Sequence, residues 1–217
     1  MLVLGFNGSP RKTWNTATLL GKALEGAASR GADTRLVHLY DLVYTGCRSC
    51  FGCKTKGGPS YGTCALRDDL TPILDQVLAA DALLLGSPIY FWALTGGMKS
   101  FLERLLFPFY RYAREDDPVQ TLFPRRVRAG FIYTMGAPEE RMHQFGYDQA
   151  IALNGMFLQR AFGPVESMVC CDTYQFEDYA TIDQTRFDVE AKQARREQQF
   201  PLDCRKAFEL GVRLAEA

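Results

Sequence analysis

Histidine, long apolar runs and net charge are the scarce features of this sequence. Among 217 residues there are two histidines, His38 and His143, and neither belongs to a recognisable nucleophile motif. Gly-x-Ser-x-Gly is also absent, which disfavours hydrolase chemistry. Lysine plus arginine number 25, as do aspartate plus glutamate. The balanced charge predicts no general attraction to nucleic acid or to anionic lipid.

Two further absences concern the compartment. No apolar run approaches the roughly 20 residues needed to span a bilayer. The stretch Met1–Phe6 lacks a basic region ahead of its apolar residues, so we do not expect a signal peptide. We therefore expect a cytoplasmic protein without a membrane partner. Its seven cysteines then raise the question of metal, cluster or thiol chemistry, because a disulfide framework is not expected there.

The chain contains no repeat, low-complexity tract or obvious linker, and its length suits one domain over residues 1–217. Apolar runs alternate with helical patterns. Strands are predicted at 2–6, 34–39, 82–85, 127–134 and 165–171, and helices at 16–29, 69–79, 97–106, 140–159 and 185–217, the last broken at Pro201. This alternation predicts an α/β fold with a five-stranded, doubly wound parallel sheet of the flavodoxin-like order 2-1-3-4-5 and helices on both faces.

Ligands of such sheets bind at the carboxyl ends of the strands. That rule nominates the loops 7–16, 86–96 and 134–140. In the first loop, Ser9, Asn15 and Thr16 supply polar groups, and Arg11 and Lys12 add positive charge at a helix N-terminus, which binds phosphate well. The loop is neither a Walker A motif nor Gly-x-Gly-x-x-Gly, so a monophosphate is favoured. The alternative is a polar turn that only caps a helix.

The second loop carries Tyr90, Phe91 and Trp92 in succession. These side chains offer flat surfaces for a planar ring, and Pro88 restricts the chain ahead of them. The alternative is an aromatic core cluster without a ligand.

Taken together, these segments resemble the NAD(P)H-dependent FMN reductases of the flavodoxin-like superfamily. The resemblance rests on Gly8-Ser9-Pro10-Arg11 with Asn15-Thr16, on Ser87-Pro88-Ile89-Tyr90, and on residues 97–104. It implies that Ser9, Arg11, Asn15 and Thr16 hold the FMN phosphate, with Lys12 beside them. It also implies that Pro88, Ile89, Tyr90 and Phe91 lie along the isoalloxazine ring, followed by Trp92, and that Thr134, Met135 and Gly136 complete the pocket. A homodimer or homotetramer is expected by the same resemblance.

Four of the cysteines lie in one segment, at about residues 46–65, that is predicted to be an insertion. Cys47, Cys50 and Cys53 are separated by two residues each, and Cys64 follows after ten more. Four thiolates of this kind hold a [4Fe–4S] cluster or zinc. The segment resembles that of the iron–sulfur flavoproteins, but its last spacing is longer. Unliganded thiols near the flavin are the third alternative. The other cysteines, Cys170, Cys171 and Cys204, are expected to be buried thiols.

The predicted function is an NAD(P)H-dependent, FMN-containing oxidoreductase. Hydride passes from the nicotinamide to flavin N5, and electrons then pass to a small acceptor such as a quinone, a nitro or azo compound, free flavin or a metal ion. No side chain is predicted to act as an acid or base. The alternative is an iron–sulfur flavoprotein that exchanges electrons with a protein partner. Carriers of that kind are typically acidic, which the zero net charge does not match. A redox-sensing module acting through the cysteines is a third hypothesis.

Overall fold

Five parallel strands form the central sheet, as described by a computed structural model that covers residues 1–216. They are β1 (Leu2–Asn7), β2 (Asp33–His38), β3 (Ala82–Tyr90), β5 (Arg128–Thr134) and β6 (Val165–Cys170), while the two-residue strand β4 (Ala93–Leu94) pairs antiparallel with β3. The order across the sheet is β2-β1-β3-β5-β6. When only the five parallel strands are counted in chain order, β5 and β6 are the fourth and fifth, so the order is the predicted flavodoxin-like 2-1-3-4-5. The fold prediction is confirmed.

Seven helices connect and cover the strands within the described residues. They are α1 (Asn15–Ala28), α2 (Thr71–Val77), α3 (Gly96–Leu106), α4 (Glu139–Gln144), α5 (Tyr147–Ala161), α6 (Val189–Gln198) and α7 (Phe200–Ala215). None of the helices within residues 1–216 has the length and apolar character needed to cross a membrane.

The sheet is buried on both faces, and β1 shows how. Successive residues of a strand point to opposite faces. Leu4 and Phe6 lie in a buried cluster with residues of α2, α3 and α5, whereas Val3 lies in a second buried cluster with residues of α1 and α7. Each face therefore has its own hydrophobic core, as expected for a parallel sheet.

Two glycines bring α1 and α7 into close contact. A Cβ atom at Gly26 would lie 2.0 Å from the carbonyl oxygen of Phe208, and one at Gly211 would lie 1.7 Å from the carbonyl oxygen of Ala23. Backbone atoms cannot swing aside as the end of a side chain can. Larger residues at these positions would therefore separate the two helices.

The predicted helix over 140–159 is wrong as one element. It is interrupted between α4 and α5, where Gly146 has a φ of +64°. This left-handed conformation ends α4 and turns the chain into α5. The predicted C-terminal helix is likewise two helices, with Pro201 in the first turn of α7. Its last predicted residue, Ala217, lies outside the described residues.

Two other boundaries differ from prediction. The helix expected from Asp69 begins at Thr71, and the side chain of Asp68 accepts a hydrogen bond from the N–H of Leu70 at 3.2 Å. This contact fixes a turn before the helix. The third strand, expected to end at residue 85, continues to Tyr90 and enters the hairpin with β4.

Candidate functional site

The N-terminus of α1 presents backbone donors at the carboxyl end of β1. No side chain caps this helix, which begins at Asn15. The N–H groups of Asn15, Thr16 and Ala17 have no hydrogen-bond acceptor within residues 1–216. First-turn N–H groups and the positive end of the helix dipole together bind phosphate. The loop therefore has the donor set that a phosphate group requires.

Buried hydroxyl groups line the same position. Ser9 and Thr16 are 4% and 2% exposed. The Ser9 hydroxyl accepts a hydrogen bond from the N–H of Arg11 at 3.1 Å, and the Thr16 hydroxyl lies 2.8 Å from that of Thr134. The second bond joins the loop after β1 to the end of β5. Two of the three loops nominated from the sequence thus meet.

The segment that follows β6 closes over residues 7–16, the loop between β1 and α1 that is called the phosphate loop below. The side-chain amide of Asn15 donates to the carbonyl oxygen of Tyr174 at 2.8 Å, and the Arg11 guanidinium donates to that of Gln175. From α6, Arg196 donates to the side-chain oxygen of Asn15 at 2.8 Å. Both ends of the Asn15 amide are thus engaged by the C-terminal part of the chain. Arg11 and Asn15, predicted to hold phosphate, here bind the protein's own backbone.

Most of the predicted cofactor residues line one cavity of about 120 Å³. Those that do are Ser9, Arg11, Asn15, Thr16, Pro88, Ile89, Tyr90, Thr134, Met135 and Gly136, and four residues not predicted, Trp14, Thr173, Gln175 and Phe176, complete the lining. Lys12 lies outside it, because its ammonium group pairs with Asp41 at 2.6 Å.

A second cavity, of about 560 Å³, adjoins the first. Phe91 and Trp92 line it, and it shares Ile89, Met135, Gly136 and Gln175 with the smaller cavity. A cofactor such as FMN needs polar donors at its phosphate and flat apolar surface at its ring. The adjoining cavities offer both, so the residues present fit this group.

The hairpin of β3 and β4 carries two aromatic residues at its turn. Phe91 and Trp92 have φ values of +50° and +61°. A two-residue hairpin turn of type I′ requires positive φ at both positions, and Asn-Gly adopts it at far lower cost. Phe91 is fully exposed, whereas the Trp92 ring packs on Phe145 with centroids 4.6 Å apart. The turn thus holds a free aromatic ring at the larger cavity.

The four clustered cysteines line one small depression beside α3, with a volume of about 20 Å³. Between them, Ser49 and Phe51 have φ values of +52° and +57°. These left-handed turns bend the loop tightly. Cys53 is buried and Cys50 is exposed, while Cys47 and Cys64 are half-buried. The structure therefore brings together all four residues predicted as metal ligands.

Arg104 of α3 contacts the last of these cysteines. Its side chain is fully buried, and its Nε lies 2.8 Å from the Cys64 sulfur. Its two Nη atoms donate to the two carboxylate oxygens of Asp68 at 2.8 and 3.1 Å. Hydrogen bonding to this guanidinium holds the pKa of the Asp68 carboxyl below its usual range.

Lys54 ties the cysteine segment to the end of α3. Its ammonium group donates to the carbonyl oxygens of Phe107, Pro108 and Tyr110. Carbonyl groups at and after a helix C-terminus lack N–H donors within the helix, and this lysine donates to three of them. Burial lowers the pKa of Lys54. The segment is thus fixed to α3 at Lys54 and through the contact of Arg104 with Cys64.

The four cysteines do not form a preformed metal site within residues 1–216. Within residues 1–216, no three Cys, His, Asp or Glu side chains are arranged to hold one ion, so no ready tetrahedral zinc site is present. In a [4Fe–4S] cluster each iron takes its own thiolate, so the sulfurs stay further apart. A depression of about 20 Å³ holds little more than one water. The loop at the exposed Cys50 would therefore have to open for a cluster.

The remaining cysteines differ partly from expectation. Cys170 is buried, as predicted, with its sulfur 3.1 Å from a carboxylate oxygen of Asp203. Cys171 and Cys204 are half-buried. Burial raises the pKa of the Cys170 thiol and raises that of Cys171 to about 11. Both groups are therefore protonated at neutral pH.

Comparison with known families gives this geometry a context. Residues 1–122, more than half of the chain, match the family of NADPH-dependent FMN reductases. The chain belongs to this family. The matched range contains β1 to β4, the phosphate loop, the aromatic hairpin and the cysteine segment. Residues 123–216, which include the segment over the phosphate loop, lie outside it.

Curated relatives of this reductase family member include iron–sulfur flavoproteins. One from Methanocaldococcus jannaschii is 36% identical over 137 residues, which cover 63% of this chain and 63% of that protein. One from Archaeoglobus fulgidus is 34% identical over 106 residues, covering 49% of this chain and 46% of that protein. The chain thus matches only about half to two thirds of the length of these relatives.

Solved structures show the same fold. An NAD(P)H:quinone oxidoreductase from Methanothermobacter marburgensis superposes with a TM-score of 0.70 over 99% of this chain and 98% of that one, at 14% identity. An azoreductase from Bacillus anthracis superposes with a TM-score of 0.64 over 98% and 99%, at 13% identity. At such low identity the likeness concerns the fold alone.

The segment after β6 is the part of the site that the sequence prediction missed. Tyr174, Gln175 and Arg196 contact the phosphate loop, and Lys192 lines the larger cavity. A usable signal existed, since the rule that ligands bind at the carboxyl ends of parallel strands applies to β6 as well. Extending the rule to the fifth parallel strand would have nominated residues 171–176.

Proposed function

We propose that the protein is an NAD(P)H-dependent, FMN-containing oxidoreductase that reduces a small acceptor such as a quinone, a nitro or azo compound, or free flavin, within a single FMN-binding domain. Bound FMN would supply the redox chemistry, namely acceptance of hydride from the nicotinamide and delivery of electrons to the acceptor. The observation that carries the proposal is the pair of adjoining cavities at the carboxyl edge of the sheet. Membership of the FMN reductase family supports the choice of cofactor.

In this proposal the chain's residues bind and orient the cofactor. The first-turn N–H groups of α1, with Ser9 and Thr16, would hold the phosphate. The backbone and side chains from Pro88 to Tyr90, with Met135 and Gly136, would border the ring. Arg11 and Asn15 would contact phosphate directly only after releasing the carbonyl groups of residues 174 and 175, to which they now donate.

The Tyr90 hydroxyl can act in this site only as a hydrogen-bonding group near neutral pH. Burial raises the pKa of this phenol, so the hydroxyl keeps its proton. It can donate to a ligand edge but does not serve as a base. In this proposal the side chains position the bound groups, and the redox step belongs to the cofactor.

The test is a titration of the purified protein with FMN followed by an assay of NAD(P)H oxidation. We expect saturable binding, seen as quenching of flavin fluorescence, and oxidation at 340 nm that depends on an added quinone. Ser9→Ala should weaken FMN binding about tenfold or more, because it removes a hydrogen bond to a charged group. Ser29→Ala, at the far end of α1, is the matched control and should leave binding unchanged. FMN-loaded protein that neither NADH nor NADPH can reduce would refute the proposal.

One observation favours a second candidate, an iron–sulfur flavoprotein that transfers electrons. All four clustered cysteines line the same depression, and an arginine N–H lies 2.8 Å from the Cys64 sulfur. Hydrogen bonds to sulfur are among the features that tune cluster potentials. The name of the curated relatives supports this candidate too.

Anaerobic purification with iron and sulfide analysis tests the second candidate. Stoichiometric iron and sulfide that are lost in Cys64→Ser, but kept in Cys204→Ser, would support a cluster held by this segment. Protein without iron in both variants and in the parent would leave the cysteines as free thiols and exclude the electron-transfer candidate.

A further inference from the structure

The larger cavity extends beyond the residues assigned to FMN. Its volume of about 560 Å³ includes the part beside Ile89, Met135 and Gly136 that the ring of FMN would occupy. The β3–β4 hairpin forms one side, the β5–α4 connection with α4 forms another, and residues 172–192 form the third. The second and third sides both lie outside the range matched by the reductase family. This chain's own C-terminal part therefore shapes the space beside the proposed flavin site.

Aromatic rings line the cavity from three elements. Phe91 and Trp92 come from the strained hairpin turn, Phe145 follows α4, and Phe187 precedes α6. Strained residues persist where the surrounding structure holds them, and they concentrate at functional sites. Rings of this kind offer stacking surface to a planar compound.

Part of the charge in the cavity is balanced internally. Lys192 is only 5% exposed, and its ammonium group donates to Asp172 and to the carbonyl oxygen of Gly136 at 2.8 Å. The Asp188 carboxylate accepts a hydrogen bond from the N–H of Ala191 and caps α6. Lys192 and the two carboxylates that line the cavity, Asp172 and Asp188, therefore all have hydrogen-bond partners within the protein.

Arg141 and Arg186 are the two cations left over. Both line the cavity, Arg141 from α4 and Arg186 from the segment before α6. Neither guanidinium makes a salt bridge or side-chain hydrogen bond within residues 1–216. Glu139 and Glu140, which neighbour Arg141 on α4, do not line the cavity. With charges of +3 and −2, the lining has a net charge of +1.

We propose that this cavity binds the electron acceptor, and that the acceptor is an aromatic compound carrying a carboxylate or sulfonate group. The rings stack on the aromatic part, and the two guanidinium groups bind the anionic group, whose paired oxygens match the fork of N–H donors on arginine. The inference rests on the proposed oxidoreductase function. For a quinone acceptor, hydride from NAD(P)H and one proton from water give NAD(P)⁺ and the hydroquinone.

The kinetic test compares two acceptors of similar size on FMN-loaded protein. They are 1,4-naphthoquinone-2-sulfonate and the neutral 2-methyl-1,4-naphthoquinone. In the double variant Arg141→Gln/Arg186→Gln we expect kcat/KM for the sulfonate to fall about fivefold or more, while the value for the neutral quinone changes less than twofold. Arg114→Gln, an exposed arginine outside the cavity, is the control and should change neither.

Two kinetic outcomes overturn the inference. One is an equal change for both quinones. The other is a raised KM for NADPH with an unchanged ratio between the quinones, since the arginines would then serve the phosphate of the nicotinamide cofactor.

A binding measurement separates this inference from the proposed function. Naphthalene-2-sulfonate cannot be reduced under these conditions, and calorimetry measures its affinity without turnover. A dissociation constant raised about fivefold in the double variant supports the site even if the parent oxidises no NAD(P)H, in which case the proposed function alone fails. An equal dissociation constant in parent and double variant overturns the site even if both enzymes are active.

Discussion

Removing the Arg104 side chain is expected to destabilise the protein strongly. The Arg104 guanidinium is fully buried and binds both carboxylate oxygens of Asp68, whose side chain is 20% exposed. Arg104→Met keeps most of the volume but leaves the carboxylate and the Cys64 sulfur without their partner. Breaking a buried pair from one side costs roughly 3–5 kcal/mol, and the partial exposure of Asp68 argues for the lower end, about 3 kcal/mol.

Urea denaturation of the metal-free protein at pH 7 measures this loss. Lys99→Met on the same helix is the matched control, because Lys99 and Glu103 are 3.6 Å apart and both exposed. That pair should contribute less than about 1 kcal/mol. Arg104→Met/Asp68→Asn should recover part of the loss, since the uncompensated charge is gone. A loss below about 1 kcal/mol in Arg104→Met would refute the view that this pair is desolvated and coupled.

The same pair predicts a pH dependence with a definite sign. Because the pKa of Asp68 is lowered in the folded state, its contribution is present above the unfolded pKa of about 3.9 and is lost as the pH falls through the folded value. The difference in stability between the parent and Arg104→Met should therefore be constant near neutral pH and narrow below about pH 4. A stability difference between the parent and Arg104→Met that stays constant down to pH 3 would contradict the lowered pKa of Asp68.

Three further predictions follow from packing, hydrogen bonding and thiol burial. Gly211→Ala should lower the free energy of unfolding by about 3 kcal/mol, since its Cβ would lie 1.7 Å from a backbone oxygen of α1. Gly155→Ala, with open space around it on α5, should raise that free energy by about 0.5–1 kcal/mol. Urea denaturation compares the two variants, and equal effects would contradict the close contact of α1 with α7. Thr134→Val should cost about 1–3 kcal/mol, because it leaves the buried hydroxyl of Thr16 unpaired, and unchanged stability would contradict that bond. Burial raises the pKa of the Cys171 thiol to about 11, so in the metal-free protein Cys171 should resist iodoacetamide at pH 8 while the exposed Cys50 reacts. Mass spectrometry resolves the two sites, and equal labelling at pH 8 would contradict the burial of Cys171.

The sheet could be predicted from the sequence because local pattern and global fold agree there. Each buried strand is a short apolar run followed by a turn, and the alternation with helices allows few topologies. The split between α4 and α5 could not be predicted in the same way. Glycine occurs inside helices as well as at their ends, and the sequence pattern alone does not show that Gly146 takes a left-handed conformation.

In the candidate site, too, some residues could be predicted from the sequence and others could not. Ser9 and Thr16 are recognisable because their hydroxyl groups follow a strand and open a helix. Tyr174 and Gln175 act on the loop through backbone carbonyl groups, which every residue carries, so no side-chain pattern marks them. The role of Arg104 was equally hidden, because its partners Asp68 and Cys64 are distant in sequence and only the fold brings them together.

The hairpin turn of Phe91 and Trp92 has a consequence for anyone who would engineer this protein. Replacing the turn with Asn-Gly would relieve about 1–3 kcal/mol of backbone strain at each residue and would also remove the exposed ring from the cavity. Selection for heat resistance alone would therefore favour the loss of this turn. With the acceptor site proposed above, selection for turnover would retain it, so the two screens would favour opposite changes at the same pair of residues.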